Sequence, residues 1–446
     1  MATYTSSTPQ QFFGDLPEQT DVLIIGGGVI GTCTAYWLAQ KGVNVTLCEK
    51  GRVAGEQSSR NWGWVRQQGR DAAELPISME SSRLWQQLMK ETGEDLGFRQ
   101  EGVYYLAEKQ EDLKNYEDFL ELAKQHQLDT KLLSKDEVYA KIPGRDGKWV
   151  GGMVTPSDGR AEPWIAVPAI GRAAERNGAV IVEDCAVRTL EIEGGKLTGA
   201  VTEKGTIKAN RVLIAAGAWS SLFAQNLGVS MPQLCVRATV AATKAAPDLF
   251  NGNAADGTFA FRKRVDGGYT LAVSDIHDHY IGKDSFRHLF KWLPAVKASF
   301  KGISFGMNPP KNYPDSWAHK WHWSGDEVSP FETCRVLNPD PSPKALKRIQ
   351  DRLVDRFPQL KGLQMEESWA GMIDAMPDFV PIMDEVPTQK GVFIATGFSG
   401  HGFGIGPAAG RIMADLLMDK PAGYDLMRFR YSRFFDGSKI KLGPFI

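Results

Sequence analysis

Asp21-Val-Leu-Ile-Ile-Gly-Gly-Gly-Val-Ile-Gly31 decides the fold. Asp21–Ile25 is a short apolar run of the kind that forms a buried parallel strand. Glycines at 26, 27, 28 and 31 follow, and a helical pattern then runs to Gln40. The next apolar run, Asn44–Glu49, reads as a second strand and ends on an acid 18 residues past Gly31. Each part has a physical job. Gly26 permits the tight turn, Gly28 lets the backbone approach a pyrophosphate, and Gly31 lets the helix pack on the strand. Val29 and Ile30 open the helix, whose free N–H groups and positive dipole end face the phosphates. Glu49 accepts from ribose hydroxyls and disfavours a 2′-phosphate, and Lys50 is assigned to the same site. A lone Gly-x-Gly-x-x-Gly is weak. Here strand, helix and acid stand in register, so a bound adenine dinucleotide is expected.

Two later stretches favour FAD over NAD. Arg211-Val-Leu-Ile-Ala-Ala-Gly-Ala-Trp-Ser220 is a buried strand running into a glycine turn, marking Ala216, Gly217 and Trp219. The strand Gly391–Thr396 leads into Gly397-Phe-Ser-Gly-His-Gly-Phe-Gly404, with a helix expected from Pro407. A glycine turn ahead of a helix suits the N1–C2=O edge of a flavin, where charge accumulates on reduction.

The remaining sequence sets the frame. The chain has 446 residues, 52 Lys+Arg against 53 Asp+Glu, and 42% hydrophobic residues, as ordinary globular proteins do. Near-neutral charge argues against a nucleic-acid binder or a polybasic membrane surface. Five cysteines (33, 48, 185, 235, 334) are widely spaced with no Cys-x-x-Cys, so neither a disulfide framework nor a zinc site is indicated. The polar first twenty residues lack a signal peptide's charge and apolar core, and the longest apolar stretch, Val22–Ala39, is broken by four glycines. A reduced, cytoplasmic protein without an integral membrane segment is expected. Helices are predicted over 77–95, 110–126, 165–177 and 343–357, and strands at 179–182, 187–193, 199–202 and 211–215. Alternating runs 258–264 and 268–273 flank Asp266-Gly-Gly268, a hairpin signal. The fold class is therefore α/β: a doubly wound dinucleotide domain plus a mixed, mainly antiparallel domain. The boundaries put 20–95, 155–235 and 366–446 in the first, 96–154 and 236–365 in the second, and 1–19 in a loose tail.

Glu56-Gln-Ser-Ser-Arg-Asn-Trp-Gly63, together with the glycine motifs above, resembles the D-amino-acid-oxidase-like superfamily of FAD amine oxidoreductases. The block 56–71 looks most like soluble relatives of L-amino acid deaminases and oxidases. The resemblance implies that Gln57, Ser58, Ser59, Arg60, Asn61, Trp62 and Gly63 wrap the flavin, with Val187 and Gly371 also at the cofactor. It implies non-covalent FAD, because the cysteine that attaches flavin in monomeric sarcosine oxidases falls here at or beside Gly371. Those enzymes also close the glycine turn with a substrate-gripping lysine, where this chain has Gly404.

The substrate carboxylate therefore needs another anchor. Arg262 offers a bidentate fork, and Arg264 shares its strand face by the period-2 rule. The superfamily places a substrate arginine in this hairpin, which favours Arg262; a solvated hairpin end is the other reading. Arg66 and Gln68 also share a face and can reach the carboxylate or bond the flavin. Trp369 is placed near the flavin face, and Phe259 and Phe261 near the pocket. The histidines, without carboxylate or cysteine clusters, give no metal site; His401 is expected to face the flavin. The implied reaction is oxidative deamination of an L-amino acid, bulky or aromatic, to a 2-oxo acid and ammonia. Hydride leaves Cα for flavin N5, with Arg262, Trp369 and Gln68 as catalytic residues and oxygen reoxidising the flavin to give hydrogen peroxide. The alternative is a D-amino acid dehydrogenase or a secondary-amine oxidoreductase (proline, opine or sarcosine-like) passing electrons to a quinone or partner. A homo-oligomer is compatible with either.

Overall fold

The computed structural model describes residues 3–299 and 302–443. The run Gln19–Ile25 forms the expected buried strand within an eight-stranded sheet. The strand order is Ile382–Glu385, Val392–Thr396, Gly205–Ile214, Gln19–Ile25, Val45–Cys48, Val180–Val182. Pairing is parallel except at the Ile382–Glu385 edge. Val187–Glu193 and Lys196–Thr202 extend Gly205–Ile214 as an antiparallel meander.

Helices Val29–Gln40 and Gly402–Leu417 pack closely because glycine sets their spacing. A Cβ at Gly406 would lie 2.6 Å from Val29, and one at Gly410 would lie 2.5 Å from Cys33 Cβ. The C-terminal helix starts at Gly402, five residues before the expected Pro407. Pro407 disturbs that helix's bonding, and the Ser81 hydroxyl compensates from outside it, donating to Gly404 O at 2.7 Å and accepting from Ala408 N–H at 3.5 Å. Helix Leu75–Glu91 stops before the predicted 95, because Gly93 takes a positive φ just past it.

The second sheet has ten strands and is mostly antiparallel. Its order is Ile303–Gly306, His277–Tyr280, Leu234–Thr243, Tyr269–Ala272, Ala260–Lys263, Asn253–Ala255, Val103–Ala107, Gly151–Thr155, Lys131–Ser134. The predicted hairpin is present, with Arg262 opposite Thr270. Met365–Ala375 pairs along its whole length with Leu234–Thr243. The expected boundary at 366 thus cuts through a strand whose hydrogen bonds belong to this sheet. The tail is not loose either: Phe12 is buried, and Gly14 N–H donates to Ile181 O at 3.1 Å, edging the first sheet. Among the described residues no helix is long and apolar enough to cross a membrane.

Candidate functional site

One cavity of about 450 Å³ runs from the carboxyl ends of the parallel strands to the face of the second sheet. At its dinucleotide end Gly26 turns at φ +109°, and a Cβ there would meet Ala215 O at 2.5 Å. Gly31 is not on the wall; its missing Cβ would come within 2.0 Å of Gly26 O, which is why helix and strand close so tightly. Gly28 stands at the N-cap and, lacking a side chain, supplies no cap of its own, so the helix's N-terminal end is open to the cavity. Val29 N–H donates to Ser58 Oγ at 2.8 Å. The Glu49 carboxylate receives Gly27 N–H and Gly51 N–H, each at 2.7 Å. Burial nevertheless pushes its pKa up to about 7, against the opposing pull of Lys50 and those two amides. Lys50 is held by Glu56 at 2.6 Å and lies over the Trp219 ring, 4.7 Å from its centroid. Glu56 also accepts from Trp219 Nε1 at 3.0 Å.

The other turn bounds the cavity with Phe398, Gly400 and Gly402, opposite Gly371 and Asp374. Asp374 fixes it by accepting from Gly397 N–H at 2.7 Å and Thr396 Oγ1 at 3.1 Å. Gly397 is a structural member: its φ is +74°, and a Cβ would lie 2.2 Å from Met376. The glycine cradle, the helix start facing the cavity, the strand-end acid and the second glycine turn suit FAD. Ile30, Gln57, Arg60, Asn61, Trp62, Val187, Ala216 and Gly217 also line the cavity.

At the far end stand Trp62, Trp64, Arg66, Arg70, Tyr105 and Tyr116. Arg66 donates to Gln68 O at 2.8 Å and to the Tyr105 hydroxyl. Arg70 is buried, and its Nη1 has no hydrogen-bond partner within the protein. Burial and the Arg66 charge lower its pKa to about 9, partly countered by Glu74. Two guanidiniums at one cavity end, one with an unused donor, make an anion site.

Several expected positions are elsewhere. Arg262 does not line the cavity; its Nη1 and Nη2 grip Glu162 at 2.9 and 3.0 Å, and Thr270 Oγ1 takes a third bond at 3.2 Å. Both terminal nitrogens are thus occupied, and although its buried Nε has no partner, Arg262 stands off the cavity wall. Arg264 is likewise taken by Asp266 and Glu366, at 2.5 and 3.1 Å. Trp369 is buried behind Trp62 and donates to Arg60 O at 2.9 Å. Gln68 is buried off the wall, accepting from Thr155 Oγ1 at 3.0 Å with its Nε2 unpartnered. Phe259 and Phe261 stack with each other in the core. His401 turns from the cavity to Glu74, its Nδ1 3.3 Å from Oε2. Burial and the charge of Arg70 lower its pKa to about 4, so the ring is neutral near pH 7. Ser59 bonds Glu56 O, and Gly63 sits at φ +76° against Ala161 O. Arg70 lies inside the 56–71 block with nothing local to set it apart from its neighbours; Tyr105, Tyr116 and Asp374 carry no local signal, being brought in by distant strands and a helix.

The family described as "DAO: FAD dependent oxidoreductase" matches residues 21–416. This chain belongs to it. The oxidoreductase is similar to an L-amino acid deaminase from Proteus myxofaciens solved in complex with anthranilate, with 30% identity, 97% coverage of each chain and a TM-score of 0.91. It is also similar to the sarcosine oxidase subunit beta of Arthrobacter sp, 33% identical over 94% of this chain and 92% of that one. The glycine oxidase of Bacillus subtilis (strain 168) is 28% identical over 93% of this chain and 97% of its own length. Of the longer mitochondrial sarcosine dehydrogenase of Mus musculus the chain spans 43%. The enzyme is an FAD-dependent oxidoreductase of amines or amino acids.

Proposed function

We propose that this oxidoreductase deaminates L-amino acids with bulky or aromatic side chains to 2-oxo acids and ammonia, with oxygen as electron acceptor. The observation that carries the proposal is the cation pair Arg66 and Arg70 at a cavity end walled by Trp62, Trp64, Tyr105 and Tyr116. Bound FAD supplies the two-electron acceptor for such a reaction. Arg70, buried with an unused Nη1, takes the α-carboxylate, and Arg66, steadied by Tyr105, holds its second oxygen. The aromatic walls exclude water and orient the side chain, and no protein group at this end needs to act as a strong base. The likeness to a deaminase that holds anthranilate, an aromatic amino carboxylate, supports the same substrate class. The non-covalent attachment inferred from Gly371 is part of the proposal, as is a cytoplasmic setting.

A secondary-amine substrate is the competing reading, favoured by the 33% identity to a sarcosine oxidase subunit. The test is anaerobic addition of L- or D-phenylalanine to the holoenzyme, followed at the oxidised-flavin band, roughly 450 nm. Bleaching by the L form alone, with rapid recolouring and peroxide on admitting air, is expected. Bleaching by D-phenylalanine alone, or by sarcosine and neither enantiomer, overturns the proposal. Recolouring only with an added quinone would transfer the enzyme to the dehydrogenase reading.

A further inference from the structure

Away from the cavity, Lys283–Arg287 and Leu289–Ser299 form two consecutive short helices with two apolar faces. One is buried: Trp292 and Ala295 pack beside Leu234, Ala375 and Phe379, and Trp292 Nε1 donates to Pro232 O at 2.9 Å. The other is exposed. Phe286, Leu289, Phe290 and Leu293 follow i, i+3, i+4, i+7 spacing, and Phe290 is 84% exposed. Trp317, itself exposed, lies against Phe286 with ring centroids 5.9 Å apart. Phe435 adds to the patch beneath Lys291, whose Nζ is 5.0 Å from its ring. Apolar surface of this size and continuity marks an interaction site.

The charge around the patch selects the occupant. Lys283, Arg287, Lys291 and Lys297 belong to the same two helices; Lys283 Nζ donates to His319 O at 2.6 Å, and Arg287 stands 3.7 Å from Asp284, the single acid of these helices, so Lys291 and Lys297 are the cations left to face outward beside the apolar side chains. Asp436, beside Phe435, is held by Arg430 at 2.8 Å. The chain's net charge of −1 therefore conceals a local cationic, aromatic face. A second copy docking through this face would set like charges against each other across a two-fold axis. Large apolar side chains flanked by lysines on a surface helix match an anionic lipid bilayer. We propose that this face binds the surface of an anionic membrane, with Phe286, Leu289, Phe290 and Leu293 entering the headgroup–acyl boundary and Lys291 and Lys297 meeting lipid phosphates.

The test is flotation of the holoenzyme with vesicles of phosphatidylcholine alone or with 30 mol% phosphatidylglycerol added (roughly the anionic density that makes basic clusters bind). Co-flotation with the anionic vesicles, weakened by salt and weak with phosphatidylcholine alone, is expected. The Lys291→Ala/Lys297→Ala variant should lower the partition coefficient roughly 25-fold, at about fivefold per cation. Phe290→Ser should lower it about tenfold or more through lost apolar burial. All three positions lie away from the cavity, so retained FAD absorbance checks folding. The proposal is overturned if the wild type stays at the bottom of the gradient with anionic vesicles. It is equally overturned if both variants float like the wild type, or if Phe290→Ser instead dissolves a dimer that ignores vesicles.

Discussion

Arg262→Met separates the two roles this arginine has been given. In the structure its fork is spent on Glu162, at 2.9 and 3.0 Å, with both side chains at most 1% exposed. Removing one partner of a buried pair costs about 3–5 kcal/mol, because the other charge stays buried and unpaired. Glu162 keeps two partial compensations, Val265 N–H at 3.0 Å and Arg160 Nη1 at 3.9 Å, so the lower end, about 3 kcal/mol, is expected. In a chain of this size that lowers the melting midpoint by on the order of 3 °C. Pairing the change with Glu162→Leu removes the orphaned charge. It leaves mainly the lost acceptor for Val265 N–H, so the double variant should recover to within about 1–2 kcal/mol of the wild type. The assay is thermal unfolding followed by far-UV circular dichroism, beside steady-state kinetics on the surviving holoenzyme, where KM should stay within about twofold of the wild type. A wild-type midpoint together with a KM raised about 100-fold would refute this reasoning and return the carboxylate to Arg262.

Three further outcomes are expected. Arg70→Met and Arg66→Met should each raise KM for the amino acid about 10- to 100-fold while the bound-flavin spectrum persists, as charge-assisted hydrogen bonds are lost; unchanged KM in both would remove the anion site. Gly31→Ala drives a Cβ to 2.0 Å from Gly26 O and should weaken FAD binding roughly 10- to 100-fold, read from flavin retained on purification. Glu49 rises from its ordinary 4.5 to about 7 through burial, so the folded FAD-free chain holds this proton where the unfolded chain has lost it. The stability of the FAD-free protein from this group therefore falls as pH rises from 4.5 to 7 and then levels. Ribose hydroxyls donating to Glu49 favour its charged form, so FAD affinity should rise with pH up to about 7; Glu49→Gln should flatten that profile in a flavin fluorescence titration.

What the chain displays locally was legible, and what it assembles from afar was not. The turn at Gly26, the helix start at Gly28 and the acid at Glu49 lie within one strand–helix–strand stretch, and each has a job that fixes its residue type. Arg262 failed for the complementary reason. Its spacing beside a hairpin turn is that of an exposed fork, while the carboxylate that captures it stands 100 residues earlier, at the start of helix Pro163–Arg176. Trp369 shows the same blindness, since the Arg60 carbonyl that fixes its indole comes from a distant segment. Arg70 was visible but silent: only burial beside Arg66 and a cavity turns an ordinary loop arginine into a candidate anchor. Averages conceal in the same way. A net charge of −1 argued against a basic membrane face, yet charge acts over a Debye length of about 10 Å and not over a chain. Lys291 and Lys297 on one helix, with the single neighbouring acid Asp284 taken up by Ser221 and Arg287, make a locally positive surface whatever the remaining residues sum to. Electrostatic reading of a sequence therefore has to be done over the length of a helix, with the buried partners subtracted.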